Sequence, residues 1–506
     1  MQNSIGWASL FVVMCLNSAN AQETIVVRTN TPLTGISAGM ADTRYTGFLH
    51  SLTPTSPGSI DFELLKPTSF RTGVLTNISG NVITGNFDTY DRVTAAGAKF
   101  EYVLSDYIYV KPANQITWPG SSAGPDPFSG WKADLDNRIA AAQAAGATAG
   151  RWDIWNEPDW PTFWPYQSNI VGRDRFFQAW KIAYDRVRTQ LPNVKIVGPS
   201  LSMPNGASGQ ENGYPSTGKF ITVSSFLDFA KANAAMPDVL TVHTFDKDVV
   251  TGRLSEVRTL LAGKGIKNLP IAVNEYVGEH EQTRPGVLPH YFAKLRAAGV
   301  DYAIHATWSE PSGSGTISNT YNASLDGLLT DDTKLPRSTW WVYKRYGEMT
   351  GTMVQVDAGA SVNGLASVNA TTDVATILIG RDFNDFGYQS TVPTTTPPLA
   401  NLQLTGIVAS MGIPLGTPLS VELQRIADRG YAAYTGPTST FISTTAGSGP
   451  LTVSLPDFGW SDAYFIRVSA VPEPGCLFAV IFPVLLTTRG RKSRKSVSHE
   501  WHFPKL

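Results

Sequence analysis

The chain has 506 residues, of which 42% are hydrophobic and 16% are charged, and its formal net charge is −1 at pH 7. This composition is typical of a folded globular protein with room for one large domain and a smaller one, and it excludes a disordered chain. Six basic residues after position 488 face one acidic residue there, so the rest of the chain carries about −6. A body without a basic excess gives no reason to expect a nucleic-acid partner.

The N-terminal end has the pattern of a secretory signal. An apolar stretch over residues 5–16 is followed by Ala19-Asn20-Ala21, which has the A-x-A form of a cleavage site. We therefore predict a signal peptide over residues 1–21. No Lys or Arg precedes the apolar stretch, and an apolar first strand is the alternative.

Residues 22–59 are rich in Thr, Gly, Pro and Ser with short β-like runs, and we expect a β-rich segment that can lend a strand to the C-terminal domain. From residue 60 to 351, short apolar strands alternate with amphipathic helices. The predicted strands are Phe62–Arg71, Asn77–Thr84, Lys99–Leu104, Arg151–Glu157, Lys195–Gly198, Asp238–Phe245, Pro270–Tyr276 and Val300–Trp308.

Eight such units over roughly 290 residues have the count and length of a (β/α)8 barrel. A doubly wound open sheet is the alternative, but it calls for a Gly-rich phosphate turn after the first strand, which the sequence lacks. Residues 352–470 contain many short Thr, Val, Ile and Leu runs between turn residues, which predicts an all-β sandwich packed directly on the barrel.

The C-terminal stretch from residue 471 to 495 reads VPEPGCLFAVIFPVLLTTRGRKSRK. It resembles the PEP-CTERM sorting signal of Gram-negative bacteria, whose parts are a Pro-Glu-Pro motif, a short hydrophobic helix and a basic stop. The resemblance implies secretion or attachment to the cell envelope and recognition by an exosortase-type sorting enzyme. The apolar run 475–486 is short for a full span, which favours a transient membrane contact. A polar basic tail, 496–506, extends beyond the usual end of such signals. The two cysteines, Cys15 and Cys476, both fall in terminal stretches, so the folded body has no thiol.

Candidate catalytic residues stand at the predicted strand ends, where the active sites of (β/α)8 barrels lie. The stretch Arg151–Trp164 reads RWDIWNEPDWPTFW, and Pro158 should end its strand near Glu157. Glu275 ends another strand, so two carboxylates are expected to face each other across the barrel mouth. Retaining glycosidases use such a pair about 5–5.5 Å apart. Aromatic side chains mixed with amides and carboxylates are a natural lining for a carbohydrate cleft.

The sequence resembles clan A of the retaining glycoside hydrolases, and most closely family 39, the β-xylosidase and α-iduronidase group. The resemblance covers about residues 62–349 and is carried by the pieces FDTYDRV, KFEYVLSD, WDIWNEPDWPTFW, KIVGPS, VLTVHTF, IAVNEY and HATWSE. It implies that Glu157 is the acid/base, that Glu275 is the nucleophile and that Asn156 holds the sugar 2-hydroxyl. It also implies that Trp308 is a floor for the sugar and that His243 lines the site.

Other residues complete the set of candidates. Arg71 could bind a substrate hydroxyl or carboxylate, or could instead orient Glu275 by a charged hydrogen bond. Trp160, Trp164 and Tyr166 could stack on sugars or could pack within their own loop, and Tyr276 is a further candidate for substrate binding. Glu279 and Glu281 are weaker alternatives to Glu275 as the nucleophile. Glu310 could be a residue at the rim of the site, and Asp153 and His305 are expected to be structural.

We therefore predict a secreted retaining O-glycoside hydrolase that acts on a poly- or oligosaccharide, with no cofactor and no metal. His243 has no second His or paired carboxylate at ligand spacing in the sequence, which disfavours a metal site. The alternative is a surface glycan-binding protein on a degenerate glycosidase barrel.

Overall fold

The computed structural model describes residues 22–34, 44–50, 52–73, 75–76, 82–84, 87–105, 117–202, 220–308, 310, 323–383 and 393–471. The predicted signal peptide, residues 1–21, and almost all of the predicted sorting signal and tail, residues 472–506, lie outside this part of the chain. Within it, no helix combines the length and the apolarity that crossing a bilayer would require.

The described residues form strands and helices in an order that alternates first and then becomes all β. The strands are β1 Glu23–Pro32, β2 Gly47–Leu49, β3 Ser69–Thr72, β4 Leu75–Thr76, β5 Val82–Thr84, β6 Lys99–Val103, β7 Gly150–Asp153, β8 Val194–Leu201, β9 Val239–Thr244, β10 Ile271–Tyr276, β11 Ala303–His305, β12 Thr352–Asp357, β13 Val362–Asn369, β14 Val374–Arg381, β15 Ala400–Thr405, β16 Pro418–Ile426, β17 Ser439–Thr445, β18 Leu451–Leu455 and β19 Ala463–Ala470. The helices are α1 Ser59–Glu63, α2 Tyr90–Ala95, α3 Ser129–Ala144, α4 Ile170–Gln190, α5 Val223–Ala232, α6 Val250–Gly263, α7 Val287–Ala297, α8 Ser338–Glu348 and α9 Ile407–Met411.

Eight parallel strands close into a barrel in the order β2, β3, β6, β7, β8, β9, β10 and β11, with β11 pairing back onto β2. Helices α1 to α8 follow these strands one by one along the chain. The predicted (β/α)8 barrel followed by a β domain is therefore confirmed. Strands three to eight fall within a few residues of where the sequence placed them, so Glu275 lies at a strand end and Glu157 lies in the turn four residues beyond one.

The first two barrel strands differ from the prediction. The first is β2, Gly47–Leu49, so the barrel begins before residue 60. The segment Phe62–Arg71, expected as the first strand, instead begins inside α1 and ends in the second barrel strand, β3. A strand of three residues is too short to show an alternating pattern in the sequence. Position 47 requires a glycine, because a Cβ atom there would lie 2.3 Å from the carbonyl oxygen of Ala303.

The segment predicted as the second strand, Asn77–Thr84, is not a barrel strand where it is described. Its last three residues form β5, which pairs antiparallel with β4 in a separate two-stranded sheet. Residues 77–81 lie outside the described part of the chain.

Helix α4 shows how the sequence builds the outer ring of the barrel. Asn169 caps the helix N-terminus, since its side chain accepts a hydrogen bond from the backbone N–H of Gly172. Phe176, Trp180 and Val187 are spaced along one face and are fully buried. This face of the helix therefore packs against the barrel.

The β domain is one continuous, curled sheet of nine strands in the order β17, β16, β19, β14, β13, β12, β1, β15 and β18. Strand β1 enters from the N-terminal segment and pairs with β12 and β15, which confirms that this segment lends a strand to the C-terminal domain. The domain packs on α7 and α8 of the barrel. Hydrogen bonds join the two domains, among them His290 Nε2 with Gly380 O at 2.9 Å and Ser338 Oγ with Ala427 O at 2.6 Å.

Candidate active site

Glu157 is held at the barrel mouth by an unusual backbone conformation. Strand β7 ends at Asp153, four residues earlier than predicted, and the chain then continues through the buried Ile154 and Trp155. Glu157 itself has a φ of +42°, a left-handed conformation that a residue with a side chain adopts at a cost. Its backbone N–H donates to the carbonyl oxygen of Ser200 at 2.9 Å, which fixes this turn beside β8.

Glu157 and Glu275 meet although they are far apart in the sequence. One carboxylate oxygen of each, together with a ring nitrogen of His243, all lie within 4.8 Å of one another. The two glutamates are 8% and 7% exposed, so both are largely enclosed but reachable from outside. This spacing is close to that of the two carboxylic groups in retaining glycosidases.

His243, from strand β9, lies between the two carboxylates. Its Nδ1 is 2.7 Å from Oε1 of Glu157, and its Nε2 is 3.8 Å from Oε1 of Glu275. Burial lowers the pKa of His243 to about 4, so the ring is neutral at pH 7. A neutral imidazole has one donor and one acceptor nitrogen, so Nδ1 can donate to an ionised Glu157 or accept from a protonated one.

Arg71 fixes the other carboxylate. Its Nη1 donates to Oε1 of Glu275 at 2.8 Å, its Nη2 donates to Oδ1 of Asn156 at 2.7 Å, and both Nε and Nη2 donate to Asp153. Arg71 is only 1% exposed. Of the two roles left open for it, orientation of Glu275 fits this geometry, whereas direct substrate binding does not.

The pKa of Glu275 is raised above its ordinary value, chiefly because the carboxyl is buried, and the nearby charge of Glu157 adds to the rise. The positive charge of Arg71 and its hydrogen bond oppose the rise. Arg71 therefore offsets part of the cost of enclosing an ionised Glu275.

Two aromatic rings stand beside this group. The Trp308 indole is partly exposed, donates from Nε1 to Val277 O at 3.0 Å, and lies 5.8 Å from the ring of Phe245. Phe245 is also partly exposed and lies 6.0 Å from the ring of His243. Phe245 was not among the residues predicted from the sequence, although its position two residues after His243 at a strand end was a usable signal. Trp160 is partly exposed too, in the turn directly after Glu157.

Two predicted substrate-binding residues are not at the site. Trp164 is completely buried, donates to Gly172 O at 3.0 Å, and packs edge-on against Trp155. Tyr276 is also completely buried, because it points out of the barrel, where its hydroxyl bonds Tyr45 O and the Tyr343 hydroxyl. Neither ring can stack on a sugar, so both predictions were wrong.

The rivals of Glu275 have other partners. Glu279 pairs with His280 at 3.2 Å, while Glu281 is buried and accepts hydrogen bonds from the Tyr291 hydroxyl and from Gly278 N–H. Glu310 accepts a hydrogen bond from the buried Arg337. None of them belongs to the group formed by the two catalytic candidates and the histidine.

Glu157, His243 and Glu275 are also the one group in the described residues whose ligand atoms could surround a metal ion. A cation there would have to share Oε1 of Glu275 with Arg71, which already donates to that atom, and Oε1 of Glu157 with His243. The two carboxylate oxygens are thus already engaged in hydrogen bonds, whereas Nε2 of His243 is buried without a hydrogen-bond partner within the part of the chain that is described. The expectation of a metal-independent site stays a prediction.

Neither a protein-family model nor a curated protein matches the sequence. Solved structures do. A protein named N2152 from Neocallimastix frontalis superposes with a TM-score of 0.68 at 23% identity, a glucosidase from Croceicoccus marinus with 0.59 at 15%, and a family 44 xyloglucanase from Paenibacillus polymyxa with 0.53 at 11%. Each match covers 89% of this chain and 100% of the other. The chain therefore has the barrel and β-domain fold that glycoside hydrolases share.

Proposed function

We propose that this protein is a secreted retaining O-glycoside hydrolase that cleaves a poly- or oligosaccharide by double displacement. The observation that carries the proposal is the pair Glu157 and Glu275, whose oxygens lie within 4.8 Å of each other at the carboxyl ends of barrel strands four and seven. The resemblance to family 39 favours xylosides as substrates, and the fold neighbours include enzymes that act on glucosides and on xyloglucan.

In the first step, Glu275 attacks the anomeric carbon, and Glu157 gives its proton to the departing glycosidic oxygen. A covalent glycosyl–enzyme ester on Glu275 results, and the leaving alcohol departs neutral. In the second step, Glu157 takes a proton from water, whose oxygen attacks the same carbon and releases the carboxylate of Glu275. The sugar leaves with its original anomeric configuration.

The neighbouring side chains support each step. The positive charge of Arg71 favours the ionised form of Glu275, and its hydrogen bond keeps that carboxylate in place. Nδ1 of the neutral His243 can hydrogen-bond Glu157 whether Glu157 is protonated or ionised. Asn156 accepts from Arg71 through Oδ1, and no described residue takes a hydrogen bond from its Nδ2, so this amide can donate to a sugar hydroxyl. Trp308 and Phe245 offer apolar faces to a sugar ring.

The test uses Glu157→Gln and Glu275→Gln, with Glu279→Gln as the matched control because that glutamate lies in the next loop but outside the pair. On aryl glycosides with poor leaving groups, Glu157→Gln should lose about 10²–10⁴-fold in kcat. Glu275→Gln should lose at least as much, and Glu279→Gln should remain active. The anomeric configuration of the first product, read by NMR, should be retained. Full activity in either of the first two variants refutes the assignment, and glycan binding without any hydrolysis by the unmutated protein would favour a binding protein.

We also propose export and envelope sorting through the two terminal segments. The secreted protein should begin at Gln22, as N-terminal sequencing would show. Replacing Pro472 and Pro474 by Ala should abolish processing at the C-terminal end, and unchanged processing would contradict the sorting-signal assignment.

A further inference from the structure

Asp153 lies under the proposed catalytic pair and not apart from it. From the sequence, Asp153 was expected to be a structural residue. Its side chain is completely buried in the barrel interior, where four donors converge on its Oδ2. These are Arg71 Nε at 2.9 Å, Arg71 Nη2 at 2.7 Å, Ser200 Oγ at 2.6 Å and Asn274 Nδ2 at 3.0 Å.

The donors come from three other barrel strands, β3, β8 and β10, so Asp153 is fixed from several sides. The two bonds from Arg71 matter most, because a guanidinium is planar and rigid. Holding Nε and Nη2 on one carboxylate oxygen therefore sets the direction of Nη1. That atom is the one that donates to Glu275, and Nη2 also donates to Asn156.

A second buried acid, Glu101, is close enough to Arg71 for an ion pair but does not fix its guanidinium by a hydrogen bond. Its Oε1 is 3.7 Å from Arg71 Nε, beyond hydrogen-bond distance, and accepts from Asn274 at 3.2 Å. Its Oε2 accepts from the Tyr302 hydroxyl at 2.6 Å. Among the described residues, Asp153 is thus the acid that holds the guanidinium of Arg71 by two hydrogen bonds in the barrel interior. Glu275 is the acid that accepts the hydrogen bond from Arg71 Nη1 at the mouth.

We propose that Asp153 is a positioning residue for the proposed glycoside hydrolysis: it sets the plane of the Arg71 guanidinium and, through it, the positions of Glu275 and Asn156. Its consequence for catalysis rests on the proposed function, whereas its consequence for the geometry of Arg71 does not. Asp153 itself touches no substrate.

A double-mutant cycle tests this with Asp153→Asn, Arg71→Met and the double variant in the full chain. Asp153→Asn should lower kcat by about 10²-fold with a much smaller change in KM, the size expected when a catalytic group is misplaced. In the Arg71→Met background, the same change should alter kcat by less than about threefold, because the guanidinium through which Asp153 acts is already absent. A purely structural residue would lower kcat by the same factor in both backgrounds, and that result would overturn the proposal.

Ser69→Ala is the matched control. Ser69 is completely buried in the same barrel interior and accepts a hydrogen bond from Arg151 at 2.8 Å, but it does not bond Arg71. It should retain kcat while losing comparable stability in thermal unfolding. If Ser69→Ala lost as much kcat as Asp153→Asn, the effect of Asp153 would be that of any buried polar residue, and the proposal would be contradicted.

A crystal structure of the Asp153→Asn protein gives a readout that needs no turnover and no folded Arg71→Met variant. The guanidinium of Arg71 should turn so that its hydrogen bond to Glu275 or to Asn156 is lost. Unchanged bonds to both would contradict the proposal. If the unmutated protein hydrolyses no glycoside but Arg71 turns in Asp153→Asn, the proposed function fails and the positioning role stands. If the unmutated protein is active but Arg71 does not turn in Asp153→Asn, the proposed function stands and the positioning role fails.

Discussion

Arg71→Met is expected to destabilise the protein strongly at pH 7 and only weakly at pH 5. The substitution keeps most of the side-chain volume but removes the cation that donates to Glu275 and Asp153 in a site with almost no exposure. A carboxylate left buried without its counter-charge takes up a proton instead of staying charged. The cost of Arg71→Met is therefore approximately the cost of protonating these acids.

The magnitude follows from Glu275. Protonating a carboxyl of ordinary pKa 4.5 costs about 1.36 kcal/mol for each pH unit above that value, which is about 3.4 kcal/mol at pH 7 and about 0.7 kcal/mol at pH 5. Because the pKa of Glu275 is already raised with Arg71 present, these figures are upper limits for the substitution. Asp153 adds little, because burial already raises its pKa to about 7. In the variant, the folded-state pKa values lie above the unfolded ones, so the folded state binds more protons and loses stability as pH rises. We expect a loss of up to about 3.4 kcal/mol at pH 7 and of up to about 0.7 kcal/mol at pH 5.

Urea unfolding followed by tryptophan fluorescence at both pH values measures this difference. Arg186→Met is the control: Arg186 pairs with Asp136 at 3.0 Å on the surface, and such exposed pairs contribute only about 0–1 kcal/mol. A cost for Arg71→Met that equals the control, or one that stays the same between pH 5 and pH 7, would refute the account of a buried cation holding two acids.

Four further outcomes are expected. Because the pKa of Glu275 is raised and Glu275 must be ionised to react, the acidic limb of kcat/KM should titrate above pH 4.5, and a limb at or below that value would contradict the burial described here. Trp308→Ala should raise KM about tenfold, a loss of about 1.4 kcal/mol in binding. Trp164→Ala should instead cost about 3–5 kcal/mol in the free energy of unfolding and leave KM unchanged, since its ring is in the core. If both substitutions raised KM equally, the assignment of Trp308 to the site and of Trp164 to the core would be contradicted. Treatment with a chelator should leave activity intact, and a loss restored by a divalent cation would place a metal on Glu157 and His243.

Much of the barrel could be predicted because its strands are continuous apolar runs with clear ends. Pro158 and the run before it located Glu157 near a strand end, and PIAVNEY did the same for Glu275. The strand Gly47–Leu49 could not be found in this way. It has three residues, and its place depends on the approach of Ala303 to Gly47 across the barrel, which no local pattern records.

The site was less predictable, since strand and loop sequences do not say which way a ring or a carboxylate points. Trp164 and Tyr276 are near the two candidate glutamates in the sequence, yet both rings turn into the packing between barrel and helices. Asp153 shows the opposite error. It was expected to be structural only, but the barrel interior beneath the mouth is polar here, and Arg71 hydrogen-bonds both Asp153 in that interior and Glu275 at the mouth.

The most direct test of the central claim is to trap the covalent intermediate. The unmutated protein is incubated with the 2-deoxy-2-fluoro derivative of a glycoside that it hydrolyses, carrying a good leaving group, and its peptides are analysed by mass spectrometry. The account predicts time-dependent inactivation with one sugar attached to Glu275. A sugar attached to Glu279, Glu281 or any other residue, or hydrolysis with inversion and no adduct, would contradict it.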